Sequence, residues 1–366
     1  MQVGSGARMA QHPLTQAGRT TWTRLTSPWN RPTPSQKMRY GNLKWHVEKA
    51  RLALKEGDFR GMTEAANKME RFRYYKEAWR TFHQIDTLQH PVPGRPWRGP
   101  RDQTETLFVK RRLRDLGDEL RQVRLCARAA QDVPNVIVLT EARLVPLFQR
   151  SFPSVHFISD PDSVQSDLQT ATTTYEQLAF FYASDEPSIM ASYQPLTPPP
   201  ASEAIPKGLG IAWFSSAIYK NLPSVADWAA LLSTVDGRVQ SLQYREGQAG
   251  LDDLVRLSGR PVKAARAVDQ FKDLDGYAAQ VASVRRVLTI SNTTAHMAGA
   301  LGIPCVVVLD DDHVTTWPDH GDQSPFYPNL RLIRRQGEDW VPTLKNGLAL
   351  LKSLPQRCTT PSVTRS

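Results

Sequence analysis

The sequence predicts an α/β fold in which two domains, each built on a parallel sheet, face a common cleft. Short apolar runs alternate with helical stretches after about residue 105, which is typical of parallel sheets. The proline-rich segment 195–200 interrupts this alternation, which restarts at Gly210, so we expect two domains rather than one. A chain of 366 residues is long enough for both domains and for smaller appendages.

Residues 1–40 are predicted to form a disordered basic tail. They contain no acidic residue and are rich in Ser, Thr, Gln, Pro and Arg, so they lack the apolar side chains needed to fold alone. An organellar transit peptide has a similar composition and is an alternative, although the amphipathic apolar stripe of such peptides is missing.

The net charge of +10 is unevenly distributed along the chain. Residues 1–130 carry 26 Lys and Arg against 12 Asp and Glu, whereas residues 131–366 carry 20 against 24. The excess of positive charge therefore belongs to the front of the chain. A basic front favours an anionic partner such as nucleic acid, anionic lipid or a phosphorylated substrate, and the charge alone does not choose among them.

Residues 41–90 are predicted to form a helical hairpin. Apolar and aromatic side chains recur at helical spacing on both sides of Gly57 and Asp58. Residues 53–59, ALKEGDF, resemble the turn of a tetratricopeptide repeat (TPR), but repeat arrays need about three units and we find one. We expect this TPR-like hairpin to pack on the domain that follows it.

The three cysteines and the hydropathy pattern indicate a cytoplasmic protein, free or peripheral to a membrane. No two cysteines have the spacing of a metal site or a redox pair, which excludes a disulfide scaffold and favours a reducing compartment. No apolar run approaches the roughly 18 residues of a membrane span, so we expect a soluble chain without a transmembrane segment.

The first α/β domain is predicted over residues 97–194, with strands at 107–109, 136–139 and 155–158. Gly117 allows a tight turn into the helix that follows the first strand, and Asp118 lies near the start of that helix. The simplest interpretation is that Asp118 caps the helix or complements its positive end. A carboxylate that faces the cleft can instead act as a general base.

The second α/β domain is predicted over residues 201–352, and residues 353–366 are expected to form a flexible tail. Its strands are expected at 210–214, 239–242, 287–290 and 305–309, with a closing helix at 340–351. We therefore expect two Rossmann-like halves, with ligands bound where the carboxyl ends of both sheets meet.

Two junctions of the second domain carry residues suited to phosphate. The first strand leads through Ser215 and Ser216 into Lys220, a small polar loop with a cation, although a lone lysine is also typical of a solvated surface. The strand at 287–290 leads into a helix of small residues that begins after Asn292, whose first N–H groups can bind an anion. The alternative is that Asn292 is only an N-cap and His296 only a buried helix residue.

Residues 291–304, SNTTAHMAGALGIP, resemble the signature of the heptosyltransferase-like GT-B glycosyltransferases, in which Asp-Thr-Ser/Ala-x-x-His-Leu-Ala-Gly-Ala-Leu-Gly-x-Pro links two strands. Residues 242–244 (LQY), 317–318 (WP) and 324–334 (SPFYPNLRLIR) resemble the bacterial members that follow tetratricopeptide repeats. The resemblance covers about residues 97–351 and is stronger in the C-terminal half.

The resemblance implies a GT-B fold and a role for each domain. The N-terminal Rossmann-like domain would take the acceptor, which is a glycan, a lipid-linked molecule or a protein, and the C-terminal domain would hold a nucleotide-diphosphate sugar. Asp118 matches the catalytic base of the family and Lys220 its donor-phosphate lysine. The remaining donor-diphosphate positions are Ser216, Asn292, Thr293, Thr294 and His296. Transfer would proceed with inversion and without a metal or other cofactor.

Two departures from the family pattern favour a second hypothesis. Asn292 stands where the family has Asp, and a cationic run containing Arg111, Arg112 and Arg114 replaces the usual approach to the Leu-Gly-Asp turn. These arginines make the acceptor side more cationic. The alternative function is therefore a non-catalytic descendant of the fold that binds or scaffolds through its basic front, with a nucleotide-sugar epimerase as a further option.

One acidic cluster could bind a metal, and one basic helix could bind nucleic acid. Residues 310–313, DDDH, offer oxygen and nitrogen ligands for Mg²⁺, but a run just after a strand is more typical of a solvated loop, so we expect no metal. The aromatic side chains within residues 68–80 recur at helical spacing, which favours a place in the core over contact with nucleic acid.

Overall fold

The computed structural model describes residues 42–89, 94–111, 115–161, 170–200, 208–217, 220–244, 250–264, 268–310 and 317–355. The predicted tails at 1–40 and 353–366 lie outside these ranges, apart from residues 353–355. None of the helices in the described part of the chain is long and apolar enough to cross a membrane.

Three helices precede the first sheet, where the sequence predicts two. They are α1 (Leu43–Glu56), α2 (Phe59–Arg71) and α3 (Tyr75–Gln89). The first turn is the expected one, because Gly57 is left-handed at φ 69° and the Asp58 side chain accepts from the N–H of Gly61. The second turn is made at Arg73, which adopts a φ of 69° although it is not glycine. We call these three helices the helical unit.

The helical unit is anchored to the first domain by its third helix. Trp79 of α3 is buried, and its indole N–H donates to the carbonyl of Ala183 at 3.0 Å. Phe82 and Ile85 are buried beside it, at the helical spacing that the sequence shows. The expectation that this segment packs on the following domain is confirmed.

The first domain contains a five-stranded parallel sheet with the order β1-β5-β2-β3-β4. Its strands are β1 (Arg95–Pro96), β2 (Thr106–Lys110), β3 (Asn135–Leu139), β4 (His156–Ile158) and β5 (Thr170–Thr174). Its helices are α4 (Leu116–Gln122), α5 (Arg124–Ala129), α6 (Val145–Ser151), α7 (Tyr175–Tyr182) and α8 (Glu186–Ala191). The predicted alternation of strand and helix is confirmed here.

The second domain contains a six-stranded parallel sheet with the order β11-β10-β9-β6-β7-β8. Its strands are β6 (Leu209–Ala212), β7 (Val239–Ser241), β8 (Val262–Ala264), β9 (Arg286–Ile290), β10 (Cys305–Leu309) and β11 (Leu330–Arg334). Its helices are α9 (Val225–Leu232), α10 (Leu251–Ser258), α11 (Leu274–Ala282), α12 (Thr293–Ala300) and α13 (Trp340–Ser353). Two Rossmann-like parallel-sheet domains are therefore present, as the sequence predicts.

The second sheet is covered on both faces, and strand β10 shows why. Cys305, Val307 and Leu309 point into one apolar cluster, and the intervening Val306 and Val308 point into another. The second of these clusters lies against α9 and α13. The first continues through α11 and α12 into the first domain and the helical unit, so all three parts share one core.

Helices of the two domains pack directly on each other. Helix α4 contacts α12, and α6 contacts α11. Arg150 on α6 forms an ion pair with Asp275 on α11, with Nη1 3.1 Å from Oδ2. The backbone N–H of Leu196 donates to the carbonyl of Ala300 at 2.7 Å, which ties the segment between the domains to the end of α12. These contacts place the start of α4 beside the start of α12.

Candidate functional site

The junction between β9 and α12 is a helix N-terminus at the carboxyl edge of the second sheet. Asn292 has extended backbone angles, and its side-chain oxygen accepts from the N–H of Ala295 at 3.3 Å, so it is the N-cap. The preceding N–H groups of Thr293 and Thr294 have no acceptor within the helix. Together with the helix dipole they form a positive region suited to an anion.

The two threonines at this helix start differ in exposure. Thr293 is partly exposed, whereas Thr294 is buried and its hydroxyl lies 2.6 Å from the hydroxyl of Tyr277 on α11. Tyr277 also donates to the carbonyl of Leu242 at 3.0 Å. The side chain of Thr294 therefore joins the helix to its neighbours, and Thr293 is the threonine with a side chain open to a ligand.

Lys220 is brought to the same edge, because β6 pairs directly with β9. Its Nζ donates to the carbonyl of Ser291 at 2.8 Å and to Oγ of Ser215 at 3.3 Å. Burial lowers the pKa of Lys220, while the charge of Asp115 in the first domain acts in the opposite direction. The lysine is thus held against the β9–α12 junction and is not a freely solvated surface group.

Ser216 and Asn292 complete the donor side predicted from the sequence. Ser216 is exposed, and its backbone N–H donates to the hydroxyl of Tyr244 at 2.8 Å. The side-chain amide of Asn292 lies 3.5 Å from the carbonyl of Phe214. The loop after β6 is therefore held by Tyr244 and Asn292, and it is Ser215, not Ser216, whose hydroxyl contacts Lys220.

Asp118 lies in the first turn of α4, on the other side of the domain interface. Its side chain is 16% exposed, and Oδ1 accepts from Nη2 of Arg121 at 2.9 Å. Arg121 has no exposed surface, and its other terminal nitrogen contacts the carboxylate of Glu70. Asp118 is not the N-cap of α4, because Asp115 holds that position, but in the first turn its charge complements the positive end of the helix, as the simplest interpretation expects.

His296 fills the space between the two domains. Its ring stacks on Trp317 with a centroid distance of 4.7 Å and an interplanar angle of 11°, and Nδ1 lies 3.2 Å from the hydroxyl of Tyr327. Burial, with help from the charge of Arg121, lowers the pKa of His296 to about 3, so the ring is neutral at pH 7. Gly117 approaches so closely that a Cβ there would lie 2.6 Å from Cδ2 of the ring.

The electrostatic neighbours of His296 show how close the candidate residues are to one another. The charges of Asp118 and Lys220 both act on its pKa, in opposite directions. Gly117, which precedes Asp118, packs against the His296 ring, and Lys220 donates to the carbonyl of Ser291 just before the same helix, so both charged residues lie near the contact between α4 and α12. The structure brings together the predicted carboxylate and the predicted cation at one interface.

One of the three arginines predicted on the acceptor side, Arg111, lies within the described residues. Arg111 forms ion pairs with Glu119 at 2.6 Å and with Glu141 at 3.0 Å, so its charge is balanced within the first domain. Glu119 is buried and also accepts from the N–H of Glu141 at 3.1 Å. Arg112 and Arg114 lie outside the described residues.

The acidic run after β10 is only partly described. Asp310 is engaged by Arg335, whose Nη2 lies 2.9 Å from Oδ1, and the following three residues lie outside the described ranges. In the part of the chain that the structure covers, no three His, Cys, Asp or Glu side chains are grouped as metal ligands.

Sequence reasoning missed five residues that shape this site: Glu70, Asp115, Arg121, Trp317 and Tyr327. Glu70 lies on a helix of the helical unit, and Trp317 lies in a segment that resembles the family. No sequence pattern pairs Glu70 with α4 or Trp317 with α12. Asp115 lies three positions before Asp118, at the N-cap of the same helix, and this short distance along the chain is the one local signal.

Known proteins similar to this chain include a curated relative and several solved structures. No protein-family model matches the chain. The curated protein FlbA of Caulobacter vibrioides is 24% identical over 295 residues, which cover 71% of this chain and 48% of FlbA. The chain therefore spans about half the length of this relative.

Solved structures similar to the chain are glycosyltransferases. The dodecameric glycosyltransferase TibC of enterotoxigenic E. coli has a TM-score of 0.45 at 13% identity, covering 69% of this chain and 76% of TibC. The E. coli ADP-heptose heptosyltransferase II gives 0.43 at 12%, covering 68% and 96%. A family 9 glycosyltransferase of Veillonella parvula gives 0.46 at 8%, covering 69% and 90%. The resemblance predicted from residues 291–304 is to the same class of proteins.

Proposed function

We propose that this protein is a glycosyltransferase that moves a sugar from a nucleotide-diphosphate donor to an acceptor hydroxyl. The observation that carries the proposal is geometric: Asp118 in the first turn of α4 and Lys220 at the β9–α12 junction lie near one domain contact, where Gly117 packs against His296. A carboxylate and a fixed cation on opposite sides of an interface are the two groups that such a transfer needs.

The proposed reaction uses each group once. The acceptor oxygen attacks the anomeric carbon and its proton passes to the carboxylate of Asp118, while the bond from that carbon to the diphosphate oxygen breaks. Negative charge then collects on the leaving diphosphate, where Lys220 and the N–H groups of Thr293 and Thr294 stabilise it. Attack from the face opposite the leaving group inverts the anomeric carbon. In this proposal no metal is needed, because the protein supplies the positive charge.

The finer assignments belong to the same proposal. The first domain takes the acceptor, a glycan, lipid-linked molecule or protein, and the second takes the donor. The basic front engages an anionic partner, and the protein works in the cytoplasm, free or at a membrane surface. The alternative, a non-catalytic binding protein, was motivated in part by Asn292, yet this residue caps α12 as an aspartate would.

Donor binding is the first test. A thermal-shift panel of UDP, GDP, ADP, CMP and their sugars, including ADP-heptose, would be run with and without EDTA. A donor at 100 times its Kd adds about 2.7 kcal/mol to the free energy of unfolding. Lys220→Ala should weaken nucleotide-diphosphate binding about 10-fold to 150-fold and leave nucleoside binding unchanged, because a charge-assisted phosphate contact is lost. The matched control is Lys345→Ala, on the exposed face of α13. Binding of none of these compounds favours the non-catalytic alternative.

Turnover is the second test. Asp118→Asn should lower turnover by about 10²-fold to 10⁴-fold and leave donor affinity nearly intact, because the amide cannot take the acceptor proton. The matched control is Asp252→Asn on the exposed side of α10, which should turn over as the wild type does. Near wild-type turnover of Asp118→Asn contradicts the assignment of the base.

A further inference from the structure

A buried chain of charges joins the helical unit to the candidate base. Glu70 on α2 contacts one terminal nitrogen of Arg121, and Asp118 accepts from the other at 2.9 Å. Neither the Glu70 nor the Arg121 side chain has exposed surface. Glu70 therefore reaches the candidate site from outside both α/β domains.

Arg121 is held rigidly between these two carboxylates. Its guanidinium lies over the ring of Phe326 at 4.5 Å and over Trp79 at 5.5 Å from the respective centroids. Burial acts to lower the pKa of Arg121, but the neighbouring Glu70 and Asp118 carboxylates outweigh it and raise the pKa above its usual value. The planar guanidinium thus stays charged and fixes the spacing of the two carboxylates.

The end of α2 is itself fixed to both domains. Arg71 forms an ion pair with Asp319 of the second domain at 2.6 Å. Arg73, in the following turn, contacts Glu186 on α8 of the first domain and donates through Nη2 to the carbonyl of His320 at 2.9 Å. The position of Glu70 is therefore determined relative to both sides of the interface.

We propose that Glu70 is a positioning residue for the carboxylate of Asp118 and acts on it through Arg121. The catalytic meaning of this inference rests on the proposed function, in which Asp118 is the base. Besides its ion pair with Arg121, the charge of Asp118 acts on the neutral His296 of α12 and on Tyr327 near β11. Glu70 adds a negative charge that shares Arg121 with Asp118.

The variant Glu70→Gln removes the negative charge of residue 70 but keeps nearly the same side-chain shape. Glutamine keeps an oxygen that can accept from Arg121, but the positive charge of Arg121 then acts on Asp118 alone. Two carboxylates on one guanidinium interact strongly enough that losing one should lower the pKa of Asp118 by about 1. A carboxylate with a lower pKa is a weaker base, so turnover at neutral pH should fall about 3-fold.

The direct test follows the Asp118 carboxyl by ¹³C NMR in the full-length chain, with the resonance assigned by its loss in Asp118→Asn. We expect the titration midpoint in Glu70→Gln to lie about one pH unit below that of the wild type. Glu70→Asp, which restores the charge, should return it towards the wild-type value. The matched control is Glu186→Gln, which removes an ion pair from the same turn and should leave the Asp118 midpoint unchanged. An unchanged midpoint in Glu70→Gln overturns the inference, whether or not the protein transfers sugar.

The kinetic test measures kcat and kcat/KM between pH 4 and 8 for the same variants. A positioning role predicts that the acidic limb of the profile moves to lower pH in Glu70→Gln while the Kd for the donor stays constant. A merely structural role would lower the whole profile without moving the limb, and that result also overturns the inference. If the wild type turns over no donor in the panel, the proposed function fails, and the NMR titration still decides the role of Glu70.

Discussion

Adding one methyl group at Gly117 should force helices α4 and α12 apart where Gly117 packs against His296. The Cβ of Gly117→Ala would lie 2.6 Å from Cδ2 and 3.0 Å from Nε2 of His296. Carbon atoms in contact are normally about 3.5–4.0 Å apart, so the ring or helix α4 must move by about 1 Å. The ring cannot move freely, because Trp317 stacks on it at 4.7 Å and Tyr327 is hydrogen-bonded to it.

The size of the effect follows from two opposing contributions. Overpacking of a closely packed site costs about 1–3 kcal/mol. Alanine is the better helix former by at most about 1 kcal/mol, and Gly117 is only the second residue of α4, where that gain is smaller. We therefore expect Gly117→Ala to lower the free energy of unfolding by about 1–2 kcal/mol.

Urea denaturation measures this change, and a double-mutant cycle with His296→Ala identifies its source. In the His296→Ala background the methyl group has room, so Gly117→Ala should become neutral or stabilising. The matched control is Gly347→Ala in α13, whose Cβ would meet side-chain methyl groups at 3.3 Å or more, so we expect a smaller loss of stability than for Gly117→Ala. An equal loss of stability with and without the His296 ring would refute the proposed close contact.

Two further predictions concern α12. The folded-state pKa of His296 is lowered to about 3, below the ordinary value of about 6.5 in the unfolded chain, so between these values the unfolded chain binds a proton that the folded protein does not. The free energy of unfolding should thus fall with decreasing pH, by at most about 1.4 kcal/mol per pH unit from this residue. In urea melts at pH 7, 6 and 5, the free energy of unfolding of His296→Asn should depend less steeply on pH than that of the wild type. Equal pH dependence of the two proteins would contradict the burial of a neutral His296. Asn292→Ala should lower the free energy of unfolding by about 1 kcal/mol, because the capping hydrogen bond to the N–H of Ala295 is lost, whereas Asn292→Asp should keep that bond and the stability. The same urea melts compare the two variants, and equal losses of stability would show that the cap contributes nothing.

The strands and junctions predicted from the sequence are those whose signal is local. An apolar run such as Cys305–Leu309 is buried on both faces of a parallel sheet, so its composition alone identifies it. Strand β5 was missed because Thr170–Thr174 contains four threonines and one alanine, although all five residues are buried. β-branched side chains suit a strand, but their hydroxyl groups hide them from an apolar pattern.

The parts of the site that were not predicted depend on contacts between distant segments. Glu70 and Arg121 are 51 residues apart, and no periodicity pairs them. Arg73 turns the chain without glycine or proline, so the third helix of the helical unit gave no turn signal. The resemblance identified the helix start after Asn292, but only the packing of α4 on α12 shows that His296 is a neutral ring wedged between domains.

The shared core has a consequence for how this protein can evolve. The sequence divides into three segments, a repeat-like segment followed by two α/β domains. One apolar cluster nevertheless runs through all three, from Met62 of α2 through Val109 of β2 to Met297 of α12. Separating any of the three segments from the others would expose apolar surface on each of them. The segments therefore cannot be exchanged one at a time by recombination.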